Sequence, residues 1–258
     1  MLCIKSKILI SSALILSQES FATEALVVSS IDWCPQLCST GDKKGYVMDT
    51  VQAIFKDSPY QLEVKTYPWS RAIKTVENGQ AHALLSPAKE EAPNLIFPEQ
   101  EIGIQRMCFF TKSQSDWKYT GPKSLVGIKV GLALDTSIEE LNSFISNNPK
   151  QFEFIPYSDS FLDISLKKTQ YDRIDTFLFT YNSTKYELNK KKLSSEFREA
   201  GCVTKSKIYM AFSPISNDGT DINEIMNYFN TKMKSFKKSG KINNIMSNYG
   251  LRDWQEFL

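Results

Sequence analysis

The sequence has few of the groups on which most enzymes and nucleic-acid-binding proteins depend. It contains a single histidine, His82, within an apolar segment, so no histidine-dependent catalytic triad is apparent, and it has no Gly-x-Ser-x-Gly motif. The 31 basic and 29 acidic residues give a net charge of +2 without basic blocks, which argues against a nucleic-acid partner or a membrane-surface patch. No apolar run approaches the ~20 residues that are needed to span a bilayer.

The first 22 residues are typical of a cleaved signal peptide. Lys5 and Lys7 form a short basic region, residues 8–16 are mostly apolar, and residues 20–22 fit the small-x-small rule for cleavage before Thr23. A membrane anchor is the alternative, but the apolar run has only about ten residues, which is too short to cross a bilayer. We therefore expect an exported protein that is located in the periplasm.

Cysteine is scarce but evenly numbered in the expected mature chain. Cys3 lies in the segment to be removed, which leaves Cys34, Cys38, Cys108 and Cys202. An even number in an exported chain favours disulfide bonds, and Cys34 and Cys38 could close a small loop. Zinc bound by these two cysteines is the alternative, but no second Cys/His pair follows at finger spacing. We expect neither a metal ion nor a cofactor.

The central pattern of the chain is a β/α unit between residues 45 and 86. A helix with one apolar face is predicted at 46–56, followed by an alternating strand at 62–66 and a second helix that ends at the glycine of residues 77–79. A short apolar strand at 81–85 then leads to Ser86. Ligands of open α/β sheets bind beyond the carboxyl ends of strands, beside helix N-termini. The polar and aromatic residues of this unit cluster at those turns.

The rest of the chain continues the alternation of strands and helices. Further strands are predicted at 26–28, 106–111, 127–134, 152–155, 174–179 and 207–212. Further helices are predicted at 138–145, after a capping box of Ser137 and Glu140, and at 160–166, 221–238 and 242–249. Two successive α/β modules of similar size indicate two lobes with a cleft between them, which is a common place for a ligand.

Several short motifs occur in an order and spacing that point to one family. They are GYVMD at 45–49, ENGQA at 77–81, FP at 97–98, LVGIKV at 125–130 with the following residues 131–136, FKKSGKI at 236–242, and YG at 249–250. Together, over essentially the whole mature chain, they resemble the family 3 extracellular solute-binding proteins, which are the amino-acid-type binding components of ABC transporters. The segments WCP at 33–35 and YPWSR at 67–71 look like a divergent exported subgroup.

The resemblance implies an α/β, two-lobed type II periplasmic-binding-protein-like fold, with a mixed sheet flanked by helices in each lobe and a two-strand hinge. The first lobe would comprise residues 23–107 plus 210–258 and the second lobe residues 108–209, after a signal peptide at 1–22. Cys108 and Cys202 would lie near the hinge-side strands of the second lobe, where a disulfide could form. The implied partners are a small-molecule ligand and an ABC permease or sensor protein of the inner membrane, and we expect a monomer.

The family's usual clamp for an α-amino acid is not evident in this chain. Its carboxylate-binding arginine usually lies six residues before the phenylalanine of the hinge approach, and Glu91 occupies that position, with Lys89 two residues earlier. Its amine-binding aspartate follows a strand of the second lobe, and the equivalent place lies near Thr180. The resemblance therefore supports binding of a small polar solute more strongly than binding of an amino acid.

The candidate ligand contacts are Trp33, Trp69, Arg71, Ser86, Lys89, Glu91, Thr136, Ser137 and Thr180. Either tryptophan could stack on a flat ligand or pack in the core. Arg71 could bind an anionic group bidentately or form a surface ion pair, and Lys89 could serve as a point charge or lie in a solvated turn. Ser86 follows a buried strand and could donate to a ligand. Thr136 and Ser137 lie at a strand-to-helix turn that favours an anion, or Ser137 only caps the helix; His82 is interpreted as structural.

Three functions compete. A periplasmic solute-binding protein that serves an ABC-type transporter is favoured over a sensory or partner-binding module on the same fold, which sequence cannot separate from it. The enzymatic alternative is an exported hydrolase, because residues 86–89 match Ser-x-x-Lys and residues 238–240 faintly resemble the late Lys-x-Gly triplet. Residues 235–238 also match Ser-x-x-Lys, and Ser86 follows a strand instead of opening a long helix. We therefore expect no enzymatic activity.

Overall fold

The structure is a computed structural model that describes residues 24–134, 136, 138–156 and 160–258. Its strands are β1 (Glu24–Ser30), β2 (Tyr60–Thr66), β3 (Ala83–Leu85), β4 (Gly103–Lys112), β5 (Val130–Ala133), β6 (Phe152–Ile155), β7 (Thr176–Thr180), β8 (Phe197–Ile208) and β9 (Met210–Phe212). Its helices are α1 (Tyr46–Phe55), α2 (Trp69–Glu77), α3 (Glu139–Asn147), α4 (Phe161–Gln170), α5 (Tyr181–Lys190), α6 (Ile222–Lys238) and α7 (Lys241–Ser247). The predicted signal peptide and Ser137, the expected cap of α3, lie outside the described residues.

The first sheet has the strand order β2-β1-β3-β9, with β1 parallel to both β2 and β3 and β9 antiparallel to β3. Its central strand β3 is wholly apolar because helices cover both faces of the sheet. Ala83 and Leu85 belong to the core that α1, α6 and α7 share, which we call the first core. Leu84 belongs to a smaller core on the other face, together with Ala72 and Val76 of α2.

The second sheet has the strand order β6-β5-β7-β4-β8. β5 is parallel to β6 and β7, whereas β4 is antiparallel to its two neighbours. Successive residues of β4 point to opposite faces, so Phe109 packs in a core with Leu141 of α3, and Phe110 packs in another with Leu166 of α4 and Leu188 of α5. The second sheet is therefore also flanked by helices on both faces.

The long antiparallel pair of β4 and β8 runs from the core of the first sheet into that of the second. Ile104 and Ile208 lie in the first core, whereas Phe109, further along β4, lies in a core of the second sheet. Between them Cys108 is the cross-strand partner of Cys202, and their sulfurs are bonded across a sequence separation of 94. The register shifts on both sides of Cys108, so the pair is irregular where it passes from one sheet to the other.

The end of the chain returns to the first sheet. The carboxylate of Asp221 caps α6 by accepting hydrogen bonds from the backbone N–H groups of Asn223 and Glu224. Phe229 of α6 and Trp254 near the C-terminus are both buried in the first core. The segments before β4 and after β8 thus share one core. No helix in the described part of the chain is long and apolar enough to cross a membrane.

Two parts of the fold differ from the sequence prediction. The strand predicted at 207–212 is in fact the junction of β8 and β9, which belong to different sheets, and residues 197–206 of β8 are not predicted as a strand. Helix α5 has no counterpart among the predicted helices, because its buried side is formed by Ser183, Thr184 and only one large apolar residue, Leu188. The other predicted helices and strands lie within a few residues of their observed bounds.

Candidate functional site

A cleft of about 750 Å³ lies between the two sheets. On the side of the first sheet it is lined by Ile31, Asp32, Trp33, Thr66, Tyr67, Pro68, Trp69, Ser86 and Glu91. On the side of β4 and the second sheet it is lined by Gln105, Met107, Ala133, Leu134, Thr136, Phe179 and Thr180. Small organic ligands typically occupy pockets of roughly 300–1,000 Å³, so the cleft is large enough for one.

Strand direction explains why these residues meet. β1, β2 and β3 are parallel, so their carboxyl ends share one edge of the first sheet, and Trp33, Tyr67 and Ser86 follow those ends. β5 and β7 are parallel as well, and Thr136 and Thr180 lie at their carboxyl ends. The cleft is therefore the crevice beyond the strand ends of two sheets, where ligands of open α/β sheets bind.

Two buried hydroxyl groups in the cleft lack partners. The side chains of Ser86 and Thr180 belong to residues that are 2% and 7% exposed, and neither hydroxyl has a hydrogen-bond partner in the described structure. Ser86 also has a φ of 68°, a left-handed backbone conformation that is uncommon outside glycine. An unpaired buried hydroxyl costs stability, and strained residues concentrate at functional sites. Both features point to a ligand that completes these hydrogen bonds.

Trp33 is held at the edge of the cleft by a short closed turn. Its backbone N–H donates to the carbonyl of Leu37 at 2.7 Å, and its own carbonyl accepts from the N–H of Leu37 at 3.0 Å. The disulfide between Cys34 and Cys38 closes the same turn. These two sulfurs are bonded to each other, and the described residues contain no group of three or more His, Cys, Asp or Glu side chains that could hold a metal ion.

The glycine that opens α1 is required by this turn. Gly45 has a φ of 101°, and a Cβ placed on it would lie 2.3 Å from the carbonyl oxygen of Gln36. Its N–H donates to the hydroxyl of Tyr249 at 2.9 Å. Only glycine permits so close an approach of the two backbone segments, which explains the first residue of the GYVMD motif.

Aromatic side chains form one wall of the cleft. Trp33, Tyr67 and Trp69 are each partly buried and line it from the first sheet, and Phe179 lines it from the second. Tyr67 and Trp69 also pack against the small core under α2. The two interpretations of Trp69, ligand contact and core packing, are thus compatible, because the same residue lines the cleft and packs against that core.

The charged side chains that line the cleft, among the residues described, are Asp32 and Glu91, and both are acidic. The carboxylate of Asp32 accepts from the N–H of Ser39 at 3.1 Å and from its hydroxyl at 2.5 Å. The carboxylate of Glu91 accepts from the N–H of Ala88 at 2.7 Å. Desolvation raises the pKa of Glu91 above its usual value, although the hydrogen bond from Ala88 works in the opposite direction.

The two basic candidates are not among the lining residues. The guanidinium of Arg71 lies 5.0 Å from the centroid of the Tyr67 ring, and the ammonium of Lys89 lies 5.3 Å from the Tyr209 ring and 6.0 Å from the Phe97 ring. The hydroxyl of Ser86 has no hydrogen bond to Lys89, so the Ser-x-x-Lys match does not form an activated pair here. The candidate Ser137 lies outside the described residues.

His82 is 5% exposed, is not among the lining residues, and has structural partners on both ring nitrogens. Nδ1 accepts from the backbone N–H of Val27 at 3.0 Å, and Nε2 lies 2.8 Å from the carboxylate of Asp218. This arrangement requires the tautomer that carries its proton on Nε2. The imidazole therefore ties β1 to the loop after β9 and lies away from the cleft.

Sequence reasoning missed several lining residues. Gln105 and Met107 are not among the sequence candidates, although they alternate along β4 and so share one face of the strand. Asp32 and Tyr67 lie beside the candidates Trp33 and Trp69 at the same strand ends, and this adjacency is the signal that could have identified them. Phe179 reaches the cleft from a strand whose pattern indicates complete burial, so its sequence carries no such signal.

No protein-family model matches the chain, and no curated protein matches it. Solved structures do. An ABC uptake transporter substrate-binding protein from Streptococcus pneumoniae with bound histidine is 16% identical, with a TM-score of 0.62 over 91% of this chain and 95% of that chain. The L-cystine solute receptor of Neisseria gonorrhoeae, in its unliganded open conformation, is 14% identical, with a TM-score of 0.66 over 91% and 96% of the two chains.

A third similar structure has a different role. It is a histidine kinase sensor domain with similarity to periplasmic binding proteins, 18% identical, with a TM-score of 0.61 over 88% of this chain and 96% of that chain. At such low identities these likenesses describe the fold. The chain therefore has the two-lobed, periplasmic-binding-protein-like α/β fold that its sequence resemblance implied, with a mixed sheet flanked by helices in each half.

Proposed function

We propose that this protein is a periplasmic solute-binding protein of the family 3 type. It captures a small polar solute in the cleft between its two sheets and delivers it to an ABC-type permease. The first lobe comprises residues 23–107 plus 210–258 and the second lobe residues 108–209, with β4 and β8 as the hinge. The protein works as a monomer, is exported by its signal peptide, and releases the solute chemically unchanged.

The observation that supports this proposal is the pair of unpartnered hydroxyls. Ser86 and Thr180 come from different sheets, are nearly fully buried, and line one cleft. A ligand that accepts or donates hydrogen bonds to both would hold the two lobes together, which is the physical basis of hinge closure. Catalysis is not needed to explain either residue, since Ser86 has no base within hydrogen-bonding distance in the described structure.

The remaining proposed contacts surround these hydroxyls. Trp33 and Trp69 provide aromatic surface, Thr136 provides a polar group on the opposite wall, and Glu91 provides a carboxylate. The guanidinium of Arg71 lies over the ring of Tyr67, which lines the cleft, but Arg71 is not itself a lining residue. It could therefore contact a solute only at the rim of the cleft. These roles are consistent with a cleft that has both polar and apolar surface.

The second candidate function is ligand sensing on the same fold. It is favoured by one observation, the similarity to the histidine kinase sensor domain. The two functions share the cleft and differ only in the partner that recognises the closed form. A permease gene beside the gene for this chain, and ligand-dependent binding to that permease in proteoliposomes, would support transport; binding to a sensor kinase instead would support sensing.

The direct test is ligand binding by the purified mature protein. Thermal-shift screening against amino acids, amines and organic acids, followed by isothermal titration calorimetry, should identify a solute that raises the melting temperature by mass action. Small-angle scattering should then show a smaller radius of gyration in the bound state, and the solute should be recovered unchanged. Turnover of the solute that is lost in Ser86→Ala, or the absence of any ligand, would contradict the proposal.

A further inference from the structure

The charge of the cleft restricts the chemical class of its ligand. Among the described lining residues, the charged ones are Asp32 and Glu91, and both are acidic. No described lysine or arginine is among the lining residues. A carboxylate ligand would therefore meet two like charges without a described counterion, which opposes its binding.

The two basic side chains that the sequence offers as ligand contacts, Arg71 and Lys89, lie over aromatic rings. Lys89 lies over the rings of Tyr209 and Phe97, neither of which lines the cleft. Arg71 lies over Tyr67, and its side chain is exposed on α2. Neither position supplies the buried, bidentate guanidinium that recognition of an α-carboxylate favours.

The aromatic wall has the opposite preference. Trp33, Tyr67 and Trp69 line the same side of the cleft as the two carboxylates. The face of an aromatic ring carries partial negative charge and attracts an ammonium or guanidinium group, most strongly when the ring is tryptophan. Carboxylates beside aromatic faces therefore favour a positively charged, partly apolar guest, and the unpaired hydroxyls of Ser86 and Thr180 can accept hydrogen bonds from its N–H groups.

We propose that the ligand is an organic cation, an amine or guanidine that lacks a carboxylate. The inference rests on the proposed solute-binding function and specifies its substrate class. Its positive group lies against the carboxylates of Asp32 and Glu91 and the rings of Trp33 and Trp69. The remainder of the molecule extends toward Phe179 and Met107 on the opposite side.

Matched pairs of compounds test this class directly. Each pair consists of an amino acid and the amine that lacks only its carboxylate: lysine and cadaverine, arginine and agmatine, tyrosine and tyramine. By calorimetry, at least one amine should bind at least about 10-fold more tightly than its paired amino acid, a difference of one decade in Kd. If the amino acid binds more tightly than the amine in every pair for which binding is detected, the cation proposal is wrong, but the proposed solute-binding function is still supported.

The other outcomes are equally informative. Selective binding of succinate or another dicarboxylate, included as an anionic probe, or of a neutral sugar also overturns the cation proposal while supporting solute binding. Binding of none of the cationic, zwitterionic, anionic or neutral probes overturns both proposals.

Charge-neutral variants give an independent test. Asp32→Asn and Glu91→Gln should each weaken binding of the amine by about 3- to 10-fold, since each removes one charge at a partly solvated site. Glu90→Gln is the matched control, because Glu90 is an exposed neighbour of Glu91 that does not line the cleft. Equal losses of amine affinity in Glu90→Gln and Glu91→Gln would show that both carboxylates act only through long-range electrostatics. That result would contradict a direct contact between Glu91 and the ligand. Tighter binding in Asp32→Asn would contradict the cation proposal itself.

Discussion

Ser86 and Thr180 present nearly buried hydroxyl groups to one cleft from two different sheets, and neither hydroxyl has a hydrogen-bond partner in the part of the chain that is described. This relationship links the fold to the proposed function. Strand β3 of the first sheet and strand β7 of the second both end at the cleft, so each delivers a polar residue to it. In the free protein both groups cost stability, and a ligand can recover that cost.

The strain at Ser86 allows affinity and stability to be separated. Ser86→Gly should raise the free energy of unfolding by about 1 kcal/mol, because glycine adopts the observed φ of 68° without strain. The same variant should bind the ligand about 3- to 10-fold more weakly, because one hydrogen bond of about 1 kcal/mol is lost. Urea denaturation and calorimetry measure the two effects. Ser86→Ala, which removes the unpaired hydroxyl but keeps the strain, should lose affinity to a similar extent and gain less stability than Ser86→Gly; unchanged affinity in both variants would exclude the contact.

We expect the contribution of Glu91 to the free energy of unfolding to depend on pH. Its pKa is raised, first by desolvation, so protonation of the carboxyl is more favourable in the folded state than in the unfolded state. The resulting stabilisation is fully present below the unfolded-state pKa and is lost as the pH rises through the folded-state pKa. Glu91→Gln should therefore be at least as stable as the parent at pH 7 and show no advantage at about pH 3, which urea denaturation at the two pH values measures.

Ligand affinity should respond to the same titration. Binding of a cation requires the carboxylate, so the affinity for an amine should fall as the pH is lowered through the raised pKa of Glu91. Glu90, whose charge also raises this pKa, should be varied in parallel as Glu90→Gln. Calorimetry at a series of pH values measures the dependence, and a profile unchanged in Glu91→Gln would contradict it.

We expect Glu101 to be the most important ion-pair carboxylate at the edge of the first core. It is 5% exposed, and its carboxylate lies 2.6 Å from the ammonium of Lys237 and 3.4 Å from that of Lys207. Burial alone would raise the pKa of Glu101, but the hydrogen bond and charge of Lys237 outweigh it and the pKa lies below the usual value. This stabilisation is present above the unfolded-state pKa and is lost as the pH falls through the folded-state value.

Removing Lys237 leaves the buried carboxylate of Glu101 with only the longer, 3.4 Å contact to the exposed Lys207 ammonium. Lys237→Met should therefore lower the free energy of unfolding by about 3 kcal/mol at pH 7. Glu99→Gln is the control, because the Glu99–Lys234 pair is exposed on both sides and should contribute less than about 1 kcal/mol. Similar losses of unfolding free energy in the two variants, measured by urea denaturation, would contradict the expected difference between the buried and the exposed ion pair.

The two disulfides should have different consequences. By the chain-entropy argument, removing Cys108–Cys202, with its sequence separation of 94, should cost about 4 to 5 kcal/mol, and removing Cys34–Cys38, with a separation of 4, about 2 kcal/mol. Urea denaturation of two variants, each with both cysteines of one disulfide replaced by alanine, measures which disulfide contributes more to the free energy of unfolding. Ligand affinity should fall more in the Cys34/Cys38 variant, because that disulfide closes the turn that carries Trp33; the reverse order of affinities would contradict a role for Trp33.

Gly45 should tolerate no side chain. Gly45→Ala places a Cβ 2.3 Å from a backbone oxygen of Gln36 and also strains the positive φ, so it should destabilise the protein by about 3 kcal/mol or more. Gly41→Ala is the matched control, because Gly41 also has a positive φ but has open space within 4 Å of the point that a Cβ would occupy; it should cost about 1 kcal/mol. Thermal unfolding of both variants checks the difference.

The sequence was informative where local pattern and burial agree. The apolar strand before Ser86, the one-sided apolar face of α1 and the long helix α6 all appear in the structure near their predicted bounds. It was uninformative for α5 and most of β8, because their side chains are largely polar. β8 exists because β4 pairs with it along its length, and pairing between distant segments leaves little trace in a local pattern.

The sequence by itself determined that the chain alternates strands and helices, that an even number of cysteines follows residue 22, and that polar and aromatic residues lie at strand ends. These properties depend on periodicity and composition over short stretches. Only the tertiary structure decided which strand ends meet, that Asp32 and Glu91 line the cleft while Arg71 and Lys89 lie over aromatic rings, and that the hydroxyls of Ser86 and Thr180, among the described lining residues, remain unpaired. The reason is physical: side chains from distant segments acquire partners, or fail to, only when the sheets are assembled.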